Sequence, residues 1–202
     1  MSYRPYLAEL LGTFTLALVV WLSVAFQMPF STPVMAALTL GLFVYTVGGI
    51  SGAHLNPAVT LGMLSIHTIK TNDAIFYIIS QFLGAALALI LGTLLTGEIA
   101  SVPTDSSMMV GVSEAIGTFF LAFAVAAATR QKIDPAVSGI VVGGSLFIGI
   151  YMAFPFGNAV LNPAVALGIG SFSSMYILGP VVGAVAGAWA LDKLYGPTSK
   201  KK

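Results

Sequence analysis

Six long apolar segments limit what this chain can fold into. Each is long enough to cross the hydrocarbon core of a bilayer, which takes about 20 residues of α-helix. They cover residues 6–26, 34–50, 74–96, 110–129, 135–154 and 175–191. Hydrophobic residues make up 57% of the 202 residues, charged residues make up 7%, and the mean hydropathy is +0.97, values that exclude a soluble domain with a polar surface. The sequence therefore predicts an all-α integral membrane protein with six transmembrane helices.

The basic residues are distributed unevenly around these spans. With six spans, both chain ends and the loops after the second and fourth spans lie on one side of the membrane. Those regions contain all of the basic residues, which are Arg4, Lys70, Arg130, Lys132, Lys193, Lys200, Lys201 and Lys202. The positive-inside rule therefore predicts that both termini lie in the cytoplasm, and we expect a multi-pass protein of the plasma membrane. The first span contains Glu9 and lacks a basic leader, so we expect it to remain in the mature protein.

A ten-residue motif occurs twice in the chain. AHLNPAVTLG at 53–62 returns as AVLNPAVALG at 159–168, and AELLGTF at 8–14 returns as SEAIGTF at 113–119. The chain is thus expected to form a single domain of two repeats, 1–100 and 101–202, each with three spans and with the motif between its second and third span. An odd number of spans turns the second repeat over relative to the first. The two motif loops should therefore enter the membrane from opposite faces and meet near its midplane.

The Asn-Pro-Ala sequence within each motif predicts the start of a short helix. Asn is a good N-cap residue and Pro is favoured at the first helical position. A helix from residue 57 to about residue 66 would be roughly 15 Å long, which is half of the hydrocarbon core. Two such half-helices would meet at their N-terminal ends, and the irregular backbone before them is expected to line a pore. The predicted pore centre consists of Asn56, Asn162, Pro57, Pro163, Ala58 and Ala164.

A single Asn-Pro-Ala could equally be a cap on a buried turn, but two copies at equivalent repeat positions favour a pore. The positive ends of both half-helices would disfavour cations at the pore centre, and both Asn amides would offer N–H donors to a passing molecule. A water molecule bound there by its oxygen would turn its hydrogens outward, which interrupts the hydrogen-bonded chain that a proton needs. The motif therefore predicts a channel that excludes ions and protons.

The HLNPAV and VLNPAV segments, together with the two E-x-x-G-T-F segments, resemble the aquaporin or major intrinsic protein family over all six spans. The resemblance implies a right-handed bundle of six helices plus two re-entrant half-helices. It also implies a homotetramer in membrane lipid, with a pore for water and small neutral solutes in every subunit and no cofactor. On its residues alone the chain could be a secondary active transporter with inverted repeats. A membrane enzyme is disfavoured because the chain lacks cysteine and a histidine cluster, and the net charge of +1 disfavours nucleic-acid binding.

Two glutamates fall inside predicted spans, where an acidic residue is costly and usually functional. Glu9 and Glu114 occupy equivalent places in the two repeats, and a pair of this kind could serve a proton relay. In the family that this chain resembles, the matching residues hold the re-entrant loops by accepting hydrogen bonds from their backbone, so we interpret both as loop supports. We interpret His54 in the same way and not as a metal ligand, because His67 is the only other histidine.

The resemblance also places a selectivity filter at four positions, Ala36, Ile150, Ala159 and Val165. Water-selective members typically carry an aromatic residue, a His and an Arg among these positions, and this chain has none of them. The set is similar to that of some plant tonoplast-type members, and a one-turn gap in the second span would move the position assigned to Ala36. A wider, apolar filter is expected to admit ammonia, hydrogen peroxide, urea or glycerol alongside water.

Overall fold

The structure of the protein is a computed structural model that describes residues 2–26 and 28–196. Lys200, Lys201 and Lys202, which the orientation argument uses, lie outside the described residues. The helices in chain order are α1 (Arg4–Ala25), α2 (Thr32–Ser51), α3 (Pro57–Ser65), α4 (Thr71–Thr96), α5 (Met108–Thr129), α6 (Pro135–Ala153), α7 (Pro163–Gly168) and α8 (Met175–Tyr195), with a 3-10 turn at Phe154–Phe156 after α6.

Six of these helices are long and apolar enough to cross a membrane, and they coincide with the six predicted spans. Within the described ranges no β-strand occurs, so the prediction of an all-α membrane protein is confirmed. The predicted ends differ from the observed ends by a few residues. For example, α1 begins at Arg4 and α2 at Thr32, each two residues before the predicted start, because Pro5 and Pro33 sit in the first turn, where the missing N–H costs nothing.

The long helices pack in a pattern that repeats between the two halves of the chain. Helix α1 packs on α4, α5 packs on α8, and α2 packs on α6, which joins the halves. Small residues allow these backbones to approach closely, as is common for helix pairs in lipid. A Cβ added to Gly143 of α6 would lie 2.5 Å from the Ala37 carbonyl oxygen of α2, and a Cβ added to Gly183 of α8 would overlap the Ala115 carbonyl of α5.

The two short helices, α3 and α7, interlock the halves. Helix α3 has nine residues and packs mainly against α8, whereas α7 has six residues and packs mainly against α4. Glycines at equivalent places make these contacts: a Cβ on Gly62 would lie 2.8 Å from the Ala184 carbonyl oxygen of α8, and one on Gly168 would lie 3.3 Å from the Ala85 carbonyl oxygen of α4. The predicted half-helices are therefore present, and each is held by long helices of the other half.

Hydrogen bonds show which segments share one end of the bundle. The Tyr6 hydroxyl donates to Asp73 Oδ1 at 2.8 Å, which joins the starts of α1 and α4. The Arg130 guanidinium pairs with Asp192 and donates to the Ile66 carbonyl at 3.1 Å, which joins the ends of α3, α5 and α8. The basic residues that the structure describes all belong to segments at this end, and they are Arg4, Lys70, Arg130, Lys132 and Lys193.

Candidate functional site

Each half-helix begins with the same cap. The Asn56 Oδ1 accepts hydrogen bonds from the N–H groups of Ala58 at 2.9 Å and of the next residue at 3.5 Å. The Asn162 Oδ1 accepts from Ala164 at 3.0 Å and from the residue after it at 3.3 Å. The side-chain oxygen of each asparagine is therefore committed to its own helix, and the amide nitrogen is turned away from that helix.

The amide nitrogens make crosswise hydrogen bonds between the two loops. The Asn56 Nδ2 donates to the Leu161 carbonyl at 2.8 Å, and the Asn162 Nδ2 donates to the Leu55 carbonyl at 2.8 Å. Each loop thus completes the hydrogen bonding of the other at the place where the N-terminal ends of α3 and α7 meet. Because each amide has two N–H groups and the opposite loop uses one, the second N–H of each asparagine remains for a molecule in the cavity that both residues line.

The first loop is held by a fully buried glutamate. The Glu9 Oε1 accepts from the His54 N–H at 3.0 Å and from the Ser51 hydroxyl at 2.6 Å. The Glu9 Oε2 accepts from the Leu55 N–H at 2.7 Å and from the Gln81 amide at 2.7 Å. Four donors therefore surround this carboxyl group, which leaves little room for it to bind a substrate or a coupling ion.

Glu114 holds the second loop in the same way. Its Oε1 accepts from the Val160 N–H at 2.8 Å and its Oε2 from the Leu161 N–H at 2.6 Å. The loops need this support because Leu55 has a φ of +48° and Leu161 has a φ of +56°. Residues other than glycine rarely adopt this left-handed backbone conformation. Such a backbone conformation costs about 1–3 kcal/mol and persists only where the surrounding structure holds it. Each glutamate accepts a hydrogen bond from the N–H of the strained leucine in its loop.

The first loop carries polar contacts that the second loop lacks. His54 lies 5% exposed on the cavity wall, with its Nδ1 3.1 Å from the Thr60 hydroxyl and its ring against the edge of Tyr77. The second repeat has Val160 and Ala166 at the places of His54 and Thr60. His54 therefore packs within its loop, and in the parts of the chain that the structure describes no cluster of metal-ligating residues surrounds it.

A cavity of about 220 Å³ runs past both asparagines. All four predicted filter residues line it, and they are Ala36, Ile150, Ala159 and Val165. Most of the remaining wall is apolar and comes from the long helices, with Leu16, Val20, Leu40, Leu121 and Leu146 among its residues. The cavity-lining residues that the structure describes include no Asp, Glu, Lys or Arg. The other four residues of the predicted pore centre, Pro57, Ala58, Pro163 and Ala164, are buried in the half-helices behind this wall.

Two polar residues of the cavity wall, Thr32 and Asn158, were not predicted from the sequence, and Asn158 makes the larger set of contacts. Its Nδ2 donates to the Pro103 carbonyl at 2.7 Å and to the Ser171 hydroxyl at 2.7 Å, and its backbone N–H donates to the Tyr176 hydroxyl at 2.9 Å. These bonds join the α4–α5 loop, the second motif loop and the start of α8. Asn158 directly precedes the repeated ten residues, and the equivalent residue of the first loop is Gly52. This difference between the repeats is the signal that could have revealed Asn158.

Known proteins provide an independent comparison. The sequence model of the family described as major intrinsic protein matches residues 1–191. A Zea mays protein described as Aquaporin NIP1-1 is 35% identical over 208 residues, covering 94% of this chain and 74% of that protein. Nodulin-26 of Glycine max is 36% identical over 167 residues, covering 77% of this chain and 62% of that protein.

Among solved structures, the aquaglyceroporin from Plasmodium falciparum has the same fold. It matches with a TM-score of 0.68 and 23% sequence identity, and the match covers 96% of each chain. The fold, the family model over residues 1–191 and relatives more than 30% identical all agree. The chain therefore belongs to the major intrinsic protein family, whose members are membrane channels and not enzymes.

Proposed function

We propose that this protein is a passive channel that carries water and small neutral solutes across a membrane. The observation that carries the proposal is one continuous cavity that touches both Asn-Pro-Ala loops and all four filter positions, with no Asp, Glu, Lys or Arg on its described wall. A neutral molecule that moves along such a wall can replace the hydrogen bonds that it made with water at only a few points. The name of one relative, Aquaporin NIP1-1, agrees with this function.

The paired asparagines form the pore centre in this proposal. The second N–H of Asn56 and that of Asn162 donate to the oxygen of one water molecule, whose hydrogens then point away from the centre. The positive ends of α3 and α7 meet at the same place and oppose any cation. Pro57, Ala58, Pro163 and Ala164 contribute by forming the first turns that aim these ends, while Glu9, Glu114 and His54 keep the loops in shape.

The four filter residues set which solutes pass. Ala36 and Ala159 leave space that a larger side chain would fill, and Ile150 and Val165 offer no donor and no charge. Without a guanidinium, the filter imposes no fixed cation on the solute, so ammonia, hydrogen peroxide, urea and glycerol are candidate substrates beside water. The same geometry argues against the alternative of a secondary active transporter, since the carboxyl groups of Glu9 in α1 and Glu114 in α5 are already bonded to the backbone of the motif loops.

Three further features belong to the proposal. The single channel domain consists of the inverted repeats 1–100 and 101–202, and the matched pairs of helix contacts and loop bonds support this division. The protein lies in the plasma membrane with both termini in the cytoplasm, which fits the concentration of described basic residues at one end of the bundle. It assembles as a homotetramer with a pore in each subunit, and chemical cross-linking in proteoliposomes would show a ladder ending at four subunits.

Stopped-flow light scattering on proteoliposomes tests the proposed function. After mixing with an impermeant osmolyte, urea or glycerol, liposomes that contain wild-type protein should change volume faster than empty liposomes. The rate of this volume change should not depend on an ion gradient or on voltage. A matched variant, Asn162→Leu, keeps the side-chain size but removes both the cap and the crosswise donor. It should lose most of the added permeability. Uptake against a gradient, driven by an ion gradient, would contradict a passive channel.

A further inference from the structure

The two motif loops differ at the residue that precedes the repeated ten. The first loop has Gly52 there, with a φ of +86°, and the second has Asn158, whose φ is not positive. The first loop therefore places no side chain at this point, whereas the second places an amide on the cavity wall. The repeat explains why a loop is present at both places, but it does not explain why only one of them carries a polar side chain.

The hydrogen bonds of Asn158 fix the orientation of its amide. The Pro103 carbonyl can only accept, so the atom 2.7 Å from it must be the donor Nδ2. The Ser171 hydroxyl, which is fully buried, takes the other bond of Nδ2 at 2.7 Å. Both N–H groups are thus occupied, and no described group donates to Oδ1. The Oδ1 atom is not buried, and Asn158 is one of the residues that line the cavity, so this oxygen is accessible to a bound molecule.

The neighbouring wall offers few hydrogen-bond donors. The backbone N–H groups of Asn158, Val160 and Leu161 are bonded to Tyr176 or Glu114. The side chains of the four filter residues contain carbon and hydrogen only. Near the filter positions, Thr32 is the other polar side chain on the described cavity wall, and its oxygen already accepts a hydrogen bond from Ser23. The Asn158 Oδ1 is therefore a fixed acceptor among mostly apolar side chains, where an unsatisfied solute donor is costly.

We propose that Asn158 is a specificity-determining residue of the channel. Its Nδ2 joins the α4–α5 loop to the segment after α7, through Pro103 and Ser171. Its Oδ1 accepts a hydrogen bond from the entering solute. Neutral solutes that carry N–H or O–H donors therefore pass more readily than solutes of equal size that can only accept hydrogen bonds. The proposal rests on the channel function proposed above. It differs from a size filter because it sorts molecules of the same volume.

Isomeric amides separate donor content from size. Propionamide, N-methylacetamide and N,N-dimethylformamide share one molecular formula and lose one N–H donor at each step. After subtraction of the flux in empty liposomes, wild-type protein should favour propionamide over N,N-dimethylformamide. Asn158→Leu, of similar volume but without polar atoms, should reduce that ratio roughly fivefold, which corresponds to about 1 kcal/mol at 1.4 kcal/mol per decade.

Two further variants keep the test decisive. Asn158→Gly copies the residue of the first loop and should reduce the ratio equally, even if Asn158→Leu folds poorly. Ser171→Ala removes one hydrogen bond of Nδ2 but leaves Oδ1 in place, so the preference for propionamide should survive. Ser106→Ala, at an exposed position of the α4–α5 loop, controls for effects of substitution and reconstitution. An unchanged ratio in Asn158→Gly, or an equal loss in Ser171→Ala, would overturn the proposal. Absence of any protein-dependent flux in the wild type would instead overturn the channel function itself.

Discussion

At the scale of single residues, Val165 is the proposed filter position at which a cation would change the chemistry most. It lies three residues after Asn162 with 2% of its surface exposed, and it lines the cavity. Its backbone N–H donates to the Asn162 Oδ1 at 3.3 Å as part of the α7 cap, so the backbone is fixed independently of the side chain. The side chain can therefore be replaced to test what the missing cation would do.

Val165→Arg should reduce the passage of urea and glycerol much more than that of water. The guanidinium narrows the filter and adds donors, and a solute that must shed more of its hydration to pass meets the higher barrier. Val165→Leu enlarges the side chain without adding charge and serves as the matched control. Stopped-flow permeabilities of the same proteoliposomes for each solute give the comparison. Equal loss for water and glycerol would mean that Val165 does not set the filter.

The buried glutamates give a second prediction at this scale. Glu9→Gln and Glu114→Gln each place an NH₂ group against a backbone N–H of the strained loop, whichever way the amide turns. A bond to a charged acceptor contributes about 1.5–3 kcal/mol, so each variant should unfold at a clearly lower temperature in detergent. The exposed Glu98→Gln is the control and should leave the unfolding temperature unchanged. If both variants unfolded at the temperature of the wild-type protein, the loops would not depend on these carboxyl groups.

At the scale of helices, the close contact between α5 and α8 depends on the absence of a side chain. A Cβ on Gly183 would overlap the Ala115 carbonyl, whereas a Cβ on Gly144 of α6 would meet nothing within 4 Å. Both glycines lie inside long helices, so the two sites have the same helix propensity and differ only in their neighbours. They form a natural pair for measuring what the helix contact contributes.

Gly183→Ala should destabilise the protein, because overpacking a tight contact typically costs about 1–3 kcal/mol. Gly144→Ala should be neutral or stabilising by up to about 1 kcal/mol through its better helix propensity. Thermal unfolding in detergent, followed by circular dichroism, measures both. Similar behaviour of the two variants would mean that α5 and α8 can separate without loss of stability.

The helices were predictable because each span is a continuous apolar segment and each half-helix follows an Asn-Pro start. Only their ends were off by a few residues, where proline in the first turn extended α1 and α2. The meeting of the two motif loops followed from the repeat, whereas the crosswise bonds of Asn56 and Asn162 to the opposite loop did not. The roles of Asn158 and Gln81 did not, since their partners lie in unrelated segments and only the folded chain brings them together. A repeat predicts what both halves share, and these residues are what the halves do not share.

At the scale of the whole molecule, we expect no proton current although the filter lacks arginine. A cation at the middle of a bilayer costs about 2.5–3.5 kcal/mol even on lenient insertion scales, and the positive ends of α3 and α7 add to that cost. A barrier of about 4 kcal/mol reduces flux roughly a thousandfold. The asparagine pair and the half-helices should thus suffice to exclude protons without a second barrier.

Liposomes loaded with a pH-sensitive dye and given a proton gradient provide the measurement. Wild-type protein should leave the decay of the gradient at the rate of empty liposomes. Asn162→Asp places a carboxylate beside the two helix ends and should accelerate the decay, because the negative charge offsets their positive potential. Rapid decay with the wild-type protein would show that the paired half-helices are insufficient alone.

The crosswise bonds between the loops also impose an order on biosynthesis. Asn56 and Leu161 are separated by 105 residues in the chain, so at about 5–20 residues per second the ribosome needs several seconds to deliver the second partner. During that interval the Asn56 amide and the Leu55 carbonyl have no protein partner and must remain hydrated or be shielded by the insertion machinery. A nascent chain that stops after α4 therefore inserts three membrane-spanning helices but cannot complete the hydrogen bonds of its own motif loop.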